Sequence, residues 1–153
     1  MKNLRYSLDQ STALTIRSHL ELCDADFDQT LSARVNLSDY AEKLAQTAAR
    51  FEAWSDGDQL VGLVAMYCNA PDAGVAFITN VSVLPTYRGY GIAQRLMNDA
   101  VKHASGLGFE RITLDVGQGA TGAIALYVKS GFRAVGKDGE TIRFERLIEG
   151  EPQ

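Results

Sequence analysis

NVSVLPTYRGYGIAQRLM, residues 80–97, decides how the rest of the chain is read. An alternating apolar run, AFITNVSVL at 76–84, reads as a strand that Pro85 ends. Beyond it, Ile92, Leu96 and Ala100, with Ala93, Met97 and Val101 adjoining, recur at helical spacing, so 91–105 reads as an amphipathic helix. Between strand and helix stand Arg88-Gly89-Tyr90-Gly91-Ile92-Ala93. Small residues at 89, 91 and 93 let backbone N–H groups approach a ligand closely, and the helix behind them presents its positive end. That is a recipe for holding a pyrophosphate, although a tight turn needs glycine on steric grounds alone.

Downstream, RITLDV at 111–116 reads as a strand, 122–130 as a short helix, and FRAVG and TIRFERLI as two closing strands. Upstream, FEAWSDGDQLVGLVAMYC reads as two strands joined at Asp56-Gly57. After a short LRYSL segment, helices are expected over 10–22 and about 38–50, the second capped by Ser38. Helices first, then a hairpin, then β-α-β-α-β-β, make an α/β fold with a mixed central sheet flanked by helices. At 153 residues, with no linker, repeat or low-complexity tract, one domain over 1–153 is expected.

Composition narrows the partners. The formal net charge is −4 and no Lys/Arg-rich run occurs, which argues against nucleic acid. The N-terminus has no apolar signal-like region, and no apolar run of membrane-spanning length exists, so no membrane partner is expected. Cys23 and Cys68 form no CxxC, which suits a reducing, cytoplasmic setting, and two histidines, His19 and His103, make no metal cluster. His103, late in a helix beside Lys102 and Ser105, reads as a solvated helix-end residue, and His19 as a structural one.

A second glycine loop competes for attention. GQGATG, residues 117–122, is a complete G-x-G-x-x-G between a strand and a helix, the setting of a dinucleotide fingerprint. That reading needs further parallel βαβ units and a ribose-binding acid about 20 residues on. Glu140 is roughly placed, but only residues 123–153 follow, and FRAVGKDGETIRFERLI looks like a hairpin. GFRAVGKD imitates a P-loop through Gly131, Gly136 and Lys137, yet Asp138 stands where Ser or Thr belongs and no helix follows.

The chain resembles the GCN5-related N-acetyltransferases (GNAT) in two blocks. Their R/Q-x-x-G-x-G/A signature is met by Arg88, Gly91 and Ala93 in NVSVLPTYRGYGIA, and their A-x-x-L-Y-x-x-x-G-F by AIALYVKSGF at 123–132. The resemblance covers about 76–135. It implies acetyl-CoA as co-substrate, with no metal. Its pyrophosphate would lie on Arg88, Gly89, Tyr90, Gly91, Ile92, Ala93 and Gln94, and its arm along the main chain of Val81, Ser82 and Val83. It leaves the 117–122 loop merely to begin a helix. One departure is Ala120, where the family often has an asparagine that contacts the cofactor arm or caps the helix.

Acetyl transfer to an amine needs a neutral amine, a home for the oxyanion and help for the leaving thiolate. An amine of pKa near 10.4 is neutral only about 1 part in 2,500 at pH 7, costing about 4.6 kcal/mol, whereas one near 8 costs about 1.4 kcal/mol. Preorganised N–H donors are worth about 3–4 kcal/mol each to an oxyanion. Tyr127 matches the family's general acid; packing beside Ala123 and Phe132 is its alternative role. In RITLDV, Asp115 alternates away from the apolar face, and some family members hold a carboxylate base there; a salt bridge to Arg143 is equally consistent. Asn80 and Ser82 would alternatively hold a relaying water. Trp54 and Tyr67 read as core, Tyr67 and Asn69 as further candidates for the acceptor groove. The resemblance places the acceptor wall in the polar 23–37 segment, with Asp24, Asp26, Phe27 and Arg34, whose acids would suit a cationic acceptor; a solvated loop is the alternative reading. The expected function is N-acetylation of a small-molecule amine acceptor, with a silent acyl-CoA-binding module as the alternative. A homodimer stays open, because this fold often pairs.

Overall fold

A computed structural model describes residues 3–24, 31–69 and 74–148. The order is β1 (Leu4–Leu8), α1 (Ala13–Cys23), α2 (Leu37–Thr47), β2 (Ala49–Ser55), β3 (Leu60–Tyr67), β4 (Val75–Val83), α3 (Ile92–Gly106), β5 (Arg111–Gly117), α4 (Thr121–Lys129), β6 (Arg133–Asp138) and β7 (Thr141–Leu147). Single 3-10 turns occupy Leu31–Ala33 and Pro85–Tyr87. Seven strands form one mixed sheet in the order β1-β2-β3-β4-β5-β7-β6, in which only β4 and β5 run parallel.

Alternation along β3 divides the core. Val64 and Met66 face a cluster with Ile92, Leu96 and Met97 of α3, while Leu63 and Ala65 face Ile16 and Leu20 of α1 and Leu44 of α2. The α3 face also takes Leu114 and Val116 of β5, Phe144 of β7 and Tyr127 of α4. The sheet is thus a filling between α1–α2 and α3–α4, as the α/β reading requires. Gly62 lets α3 come close. A Cβ there would stand 2.7 Å from Ile92 Cγ2 and 3.3 Å from Leu96 Cδ1.

Local differences from the sequence reading have identifiable causes. LRYSL is a strand, paired along its length with β2. The cap of α2 is Asn36, not Ser38: Asn36 Oδ1 accepts from Asp39 N at 3.0 Å, while Ser38 Oγ accepts from Arg17 of α1. Arg50, read as the end of that helix, belongs to β2. Its guanidinium turns back to donate to the carbonyls of Leu44, Ala45 and Ala48, closing the C-terminus of α2. Fully buried Glu52 accepts from the main-chain N–H groups of Gln10 and Ser11 at 2.8 Å each, fixing the entry to α1. These polar ties set α1 and α2 against the sheet.

Candidate active site

The site grows from a parting of strands. β4 pairs with β5 from Val75–Arg111 only to Ile78–Leu114, then β5 continues with β7 as far as Gly117 while β4 stays with β3 as far as Val83. Residues 79–83 therefore have an open edge on the β5 side. A bulge at Thr79, where Ala65 pairs with Asn80 and Met66 with Ile78, marks the point of departure. Leu84 N donates to Val61 O on β3. Because successive residues of an antiparallel strand turn their N–H and C=O to alternate sides, Val81 and Val83 turn theirs to the gap. Ser82, grouped with them by its sequence position, turns its main chain to β3.

At the end of β4, the loop expected to hold a pyrophosphate takes the shape its glycines allow. Gly89 and Gly91 have φ of 84° and 77°, and no atom lies within 4 Å of a Cβ at either. Arg88 Nε donates to Val83 O at 3.3 Å, tying loop to strand. Gly91 is the N-cap of α3, so the first-turn N–H groups of that helix open onto the loop. A cleft of about 340 Å³ lies here, between Val83, Arg88, Gly89, Gly91, Ala93 and Gln94 on one side and Gly122, Ala125, Leu126 and Lys129 of α4 on the other. Ile92 is buried beneath the loop, and Tyr90 directs its ring outward, 57% exposed. Gln94 Nε2 donates to Asn98 and Ser130, while its Oε1 is buried with no partner. Glycine-lined N–H groups, the Lys129 ammonium and the unpartnered Gln94 oxygen suit a ligand with a pyrophosphate and an amide-bearing arm.

Tyr127 and Asp115 stand on opposite faces of the sheet. Tyr127, on α4, packs at 6.4 Å from the ring of Phe132 and 6.3 Å from that of Phe144. Burial pushes its phenol up to about 12. Asp115 meets Arg143 in a two-pronged pair, with Nε donating to Oδ1 at 2.7 Å and Nη2 to Oδ2 at 2.9 Å. The pair lies on the face that α1 and α2 leave partly open, with the Arg143 guanidinium 5.8 Å above the ring of Phe77.

Across the gap, α1 and α2 contribute side chains that carried no motif. Tyr40 Oη lies 2.7 Å from Thr79 Oγ1 and donates to Thr79 O at 3.1 Å, at the bulge itself; burial pushes this phenol, too, up to about 12. Tyr67 Oη is buried without a partner, and the Lys43 ammonium lies 5.1 Å from its ring centre. Asn69 instead donates to Thr47 O, closing α2. His19, buried in α1, reaches Leu60 O at 2.9 Å through Nδ1 and Ser82 Oγ at 2.8 Å through Nε2. Desolvation lowers its pKa to about 4. No sequence signal could join His19 to Ser82, which are 63 residues apart.

The remaining candidates are quickly placed. His103 is half-buried, edge-on to Phe51 at 5.4 Å, rather than a solvated helix end. Trp54 is buried, as expected, and donates from Nε1 to Ser7. Asp24 accepts from Ser32 N and Ser32 Oγ, which hold its carboxyl below the usual range; Asp26 and Phe27 lie outside the described residues. Gly136 and Lys137 lie within β6, a strand and not a phosphate loop. Among the described residues, no group of His, Cys, Asp and Glu is gathered to hold a metal, and no helix is long and apolar enough to cross a membrane.

Known proteins share this architecture. Residues 15–132 match the acetyltransferase (GNAT) family. The uncharacterized N-acetyltransferase YvbK of Bacillus subtilis (strain 168) is 26% identical over 133 residues, covering 87% of this chain and 77% of its own. An acetyltransferase of the GNAT family from Staphylococcus aureus Mu50 superposes with a TM-score of 0.78 at 12% identity, covering 96% of this chain and all of its own. The PaiA N-acetyltransferase of Thermoplasma acidophilum, solved in complex with coenzyme A, does so with a TM-score of 0.71 at 15% identity, covering 94% and 99%.

Proposed function

The chain belongs to the GNAT acetyltransferase family, and from that premise we propose that it moves an acetyl group from acetyl-CoA to the amine of a small molecule by direct attack. The observation that carries this reading is the open edge of β4 at 79–83, running straight into the left-handed glycine loop at the N-terminus of α3. Acetyl-CoA supplies an activated acyl group on a thiol leaving group. The N–H groups of the 88–94 loop and first turn of α3 hold its pyrophosphate, with Gln94 and Lys129 beside them. Val81 and Val83 receive its arm along the open edge of β4, where Val83 O already accepts from Arg88, and an N–H of that edge meets the developing oxyanion.

Tyr127 donates a hydrogen bond to the departing sulfur. Full proton transfer from a phenol near 12 to a thiolate near 8.5 is about 5 kcal/mol uphill, so the phenol stabilises the thiolate by hydrogen bonding instead of surrendering its proton. Asp115 is the proposed base for the acceptor. Inside its fork with Arg143 each carboxylate oxygen keeps a second lone pair that can accept from an ammonium. With Asp115→Asn, turnover of the amine should fall roughly 10²–10⁴-fold while acetyl-CoA affinity holds; an unchanged rate removes Asp115 from the mechanism.

Calorimetric titration with acetyl-CoA, with NADH in parallel, is the first test. Micromolar acetyl-CoA binding with no NADH binding, followed by thiol release on an amine panel, is the expected result. NADH binding alone would return the pyrophosphate to the 117–122 loop. One feature favours the alternative of a silent acyl-CoA-binding module: Ala120, the N-cap of α4, makes no side-chain capping bond. Tight acetyl-CoA binding without thiol release on any amine would establish that reading.

A further inference from the structure

Protons can be counted along the chain His19, Ser82, Asn80. Leu60 O is a carbonyl and can only accept, so the 2.9 Å contact places a hydrogen on His19 Nδ1. The neutral ring then has a bare Nε2, and Ser82 Oγ, 2.8 Å away, must supply the proton between them. Burial of His19 keeps the neutral form dominant at pH 7. Ser82 Oγ also lies 2.8 Å from Asn80 Oδ1, a contact in which the hydroxyl would have to donate. A hydroxyl has one proton, and it has been given to His19. With that proton spent, Oδ1 and Oγ would meet acceptor to acceptor, so the network turns the amide over: its NH₂ end faces Ser82 and its oxygen the other way, since the outline of an amide does not tell the two ends apart.

Asn80 is well placed for that orientation to matter. It follows the Thr79 bulge, two residues beyond the last β4–β5 pair, with its main chain on β3 opposite Ala65 and its side chain on the α1–α2 side. Asn80 is buried, and among the described residues Ser82 is its side chain's one hydrogen-bond partner, so the end of the amide turned from Ser82 has no protein partner. We propose that Asn80 accepts the N–H of the incoming amine, and that His19, acting through Ser82, is a positioning residue that holds the Asn80 oxygen towards the gap. This rests on the amine acetylation proposed above. An oxygen at the gap aligns the nitrogen lone pair for attack; an NH₂ end there would meet the amine donor to donor.

Cys23 Sγ, 3.7 Å from Nε2, is the competing donor, at a longer distance than Ser82. Two measurements test the arrangement. Nitrogen-15 NMR at pH 7 is expected to find His19 protonated at Nδ1 and bare at Nε2; the other tautomer, or an imidazolium, overturns the proposal. Kinetics with glycinamide and spermidine as acceptor probes should then find KM for the amine raised roughly tenfold by Ser82→Ala and restored by Ser82→Thr, with acetyl-CoA affinity unchanged in both. Cys23→Ala should leave KM where it was. An unchanged amine KM in Ser82→Ala, or the same rise in Cys23→Ala, overturns the role of Ser82. Failure of the acetylation reading looks different, because the unaltered protein would then release no thiol with either probe.

Discussion

Two strand-to-helix loops of this protein carry glycine triplets or pairs, and they use them in different ways. Gly89 and Gly91 both adopt left-handed φ, a conformation that L side chains rarely take, and they present open space where a side chain would be. Gly117 ends β5 and Gly122 lies in the first turn of α4, both in regular secondary structure. The fuller G-x-G-x-x-G match is thus the loop that makes less use of its glycines. A motif written in letters counts glycines; the backbone shows which of them are needed.

The largest expected effect separates the second loop from the helix it opens. Tyr127→Phe should lower kcat by roughly 10²–10⁴ with acetyl-CoA binding retained; near-normal turnover would leave α4 with no more chemistry than its loop. Any comparison of loops must be made where the fold has its full stability, and His19 sets one bound. Its pKa is lower in the folded protein, about 4, than in the unfolded chain, about 6.5. Between those values the unfolded chain binds a proton that the folded one refuses. Stability is therefore complete above pH 6.5 and falls by roughly 3 kcal/mol as the pH drops to 4. Denaturant melts at pH 7 and 4.5 check this, and His19→Gln should flatten the difference.

Next comes the support of the first loop from below. Gly62→Ala forces a methyl into Ile92 and should destabilise by about 1–3 kcal/mol. Because Ile92 opens α3, acetyl-CoA affinity should fall along with the melting temperature; a stable variant with unchanged affinity would show that α3 tolerates displacement. The smallest effects come from the direct contrast. Gly91→Ala must adopt a left-handed φ, costing about 1–2 kcal/mol, and should weaken acetyl-CoA binding by roughly tenfold. Gly122→Ala meets nothing within 4 Å and removes a glycine from a helix, so it should stabilise by less than about 1 kcal/mol and, although Gly122 lines the α4 side of the cleft, weaken binding less than Gly91→Ala does. Equal losses from both substitutions would erase the distinction between the loops.

Much of the scaffold was legible in the chain because its signals are local. The alternation of 76–84, the helical spacing of Ile92, Leu96 and Ala100, and the turn at Asp56-Gly57 each lie within a dozen residues and match the observed strands and helix closely. Misreadings arose where a distant group decided. Arg50 looked like a continuation of α2, yet β2 pairing with β3 claims its backbone while its side chain returns to cap the helix. LRYSL had no periodicity to declare it, and becomes a strand because β2 offers an edge.

The sequence by itself determined the α/β class, the order of most elements and the glycine loop ahead of α3 from spacing within short windows, and its two motif blocks carried the resemblance to the family. Only the tertiary structure decided where β4 and β5 part, which main-chain groups face that gap, and which of the chain's polar side chains meet there. Asp115 with Arg143, Tyr40 with Thr79, and His19 with Ser82 come from segments 28 to 63 residues apart. No local pattern encodes such meetings. They follow from how two helical layers close on one sheet, which brings distant polar side chains within reach of one another and gives most buried ones a partner.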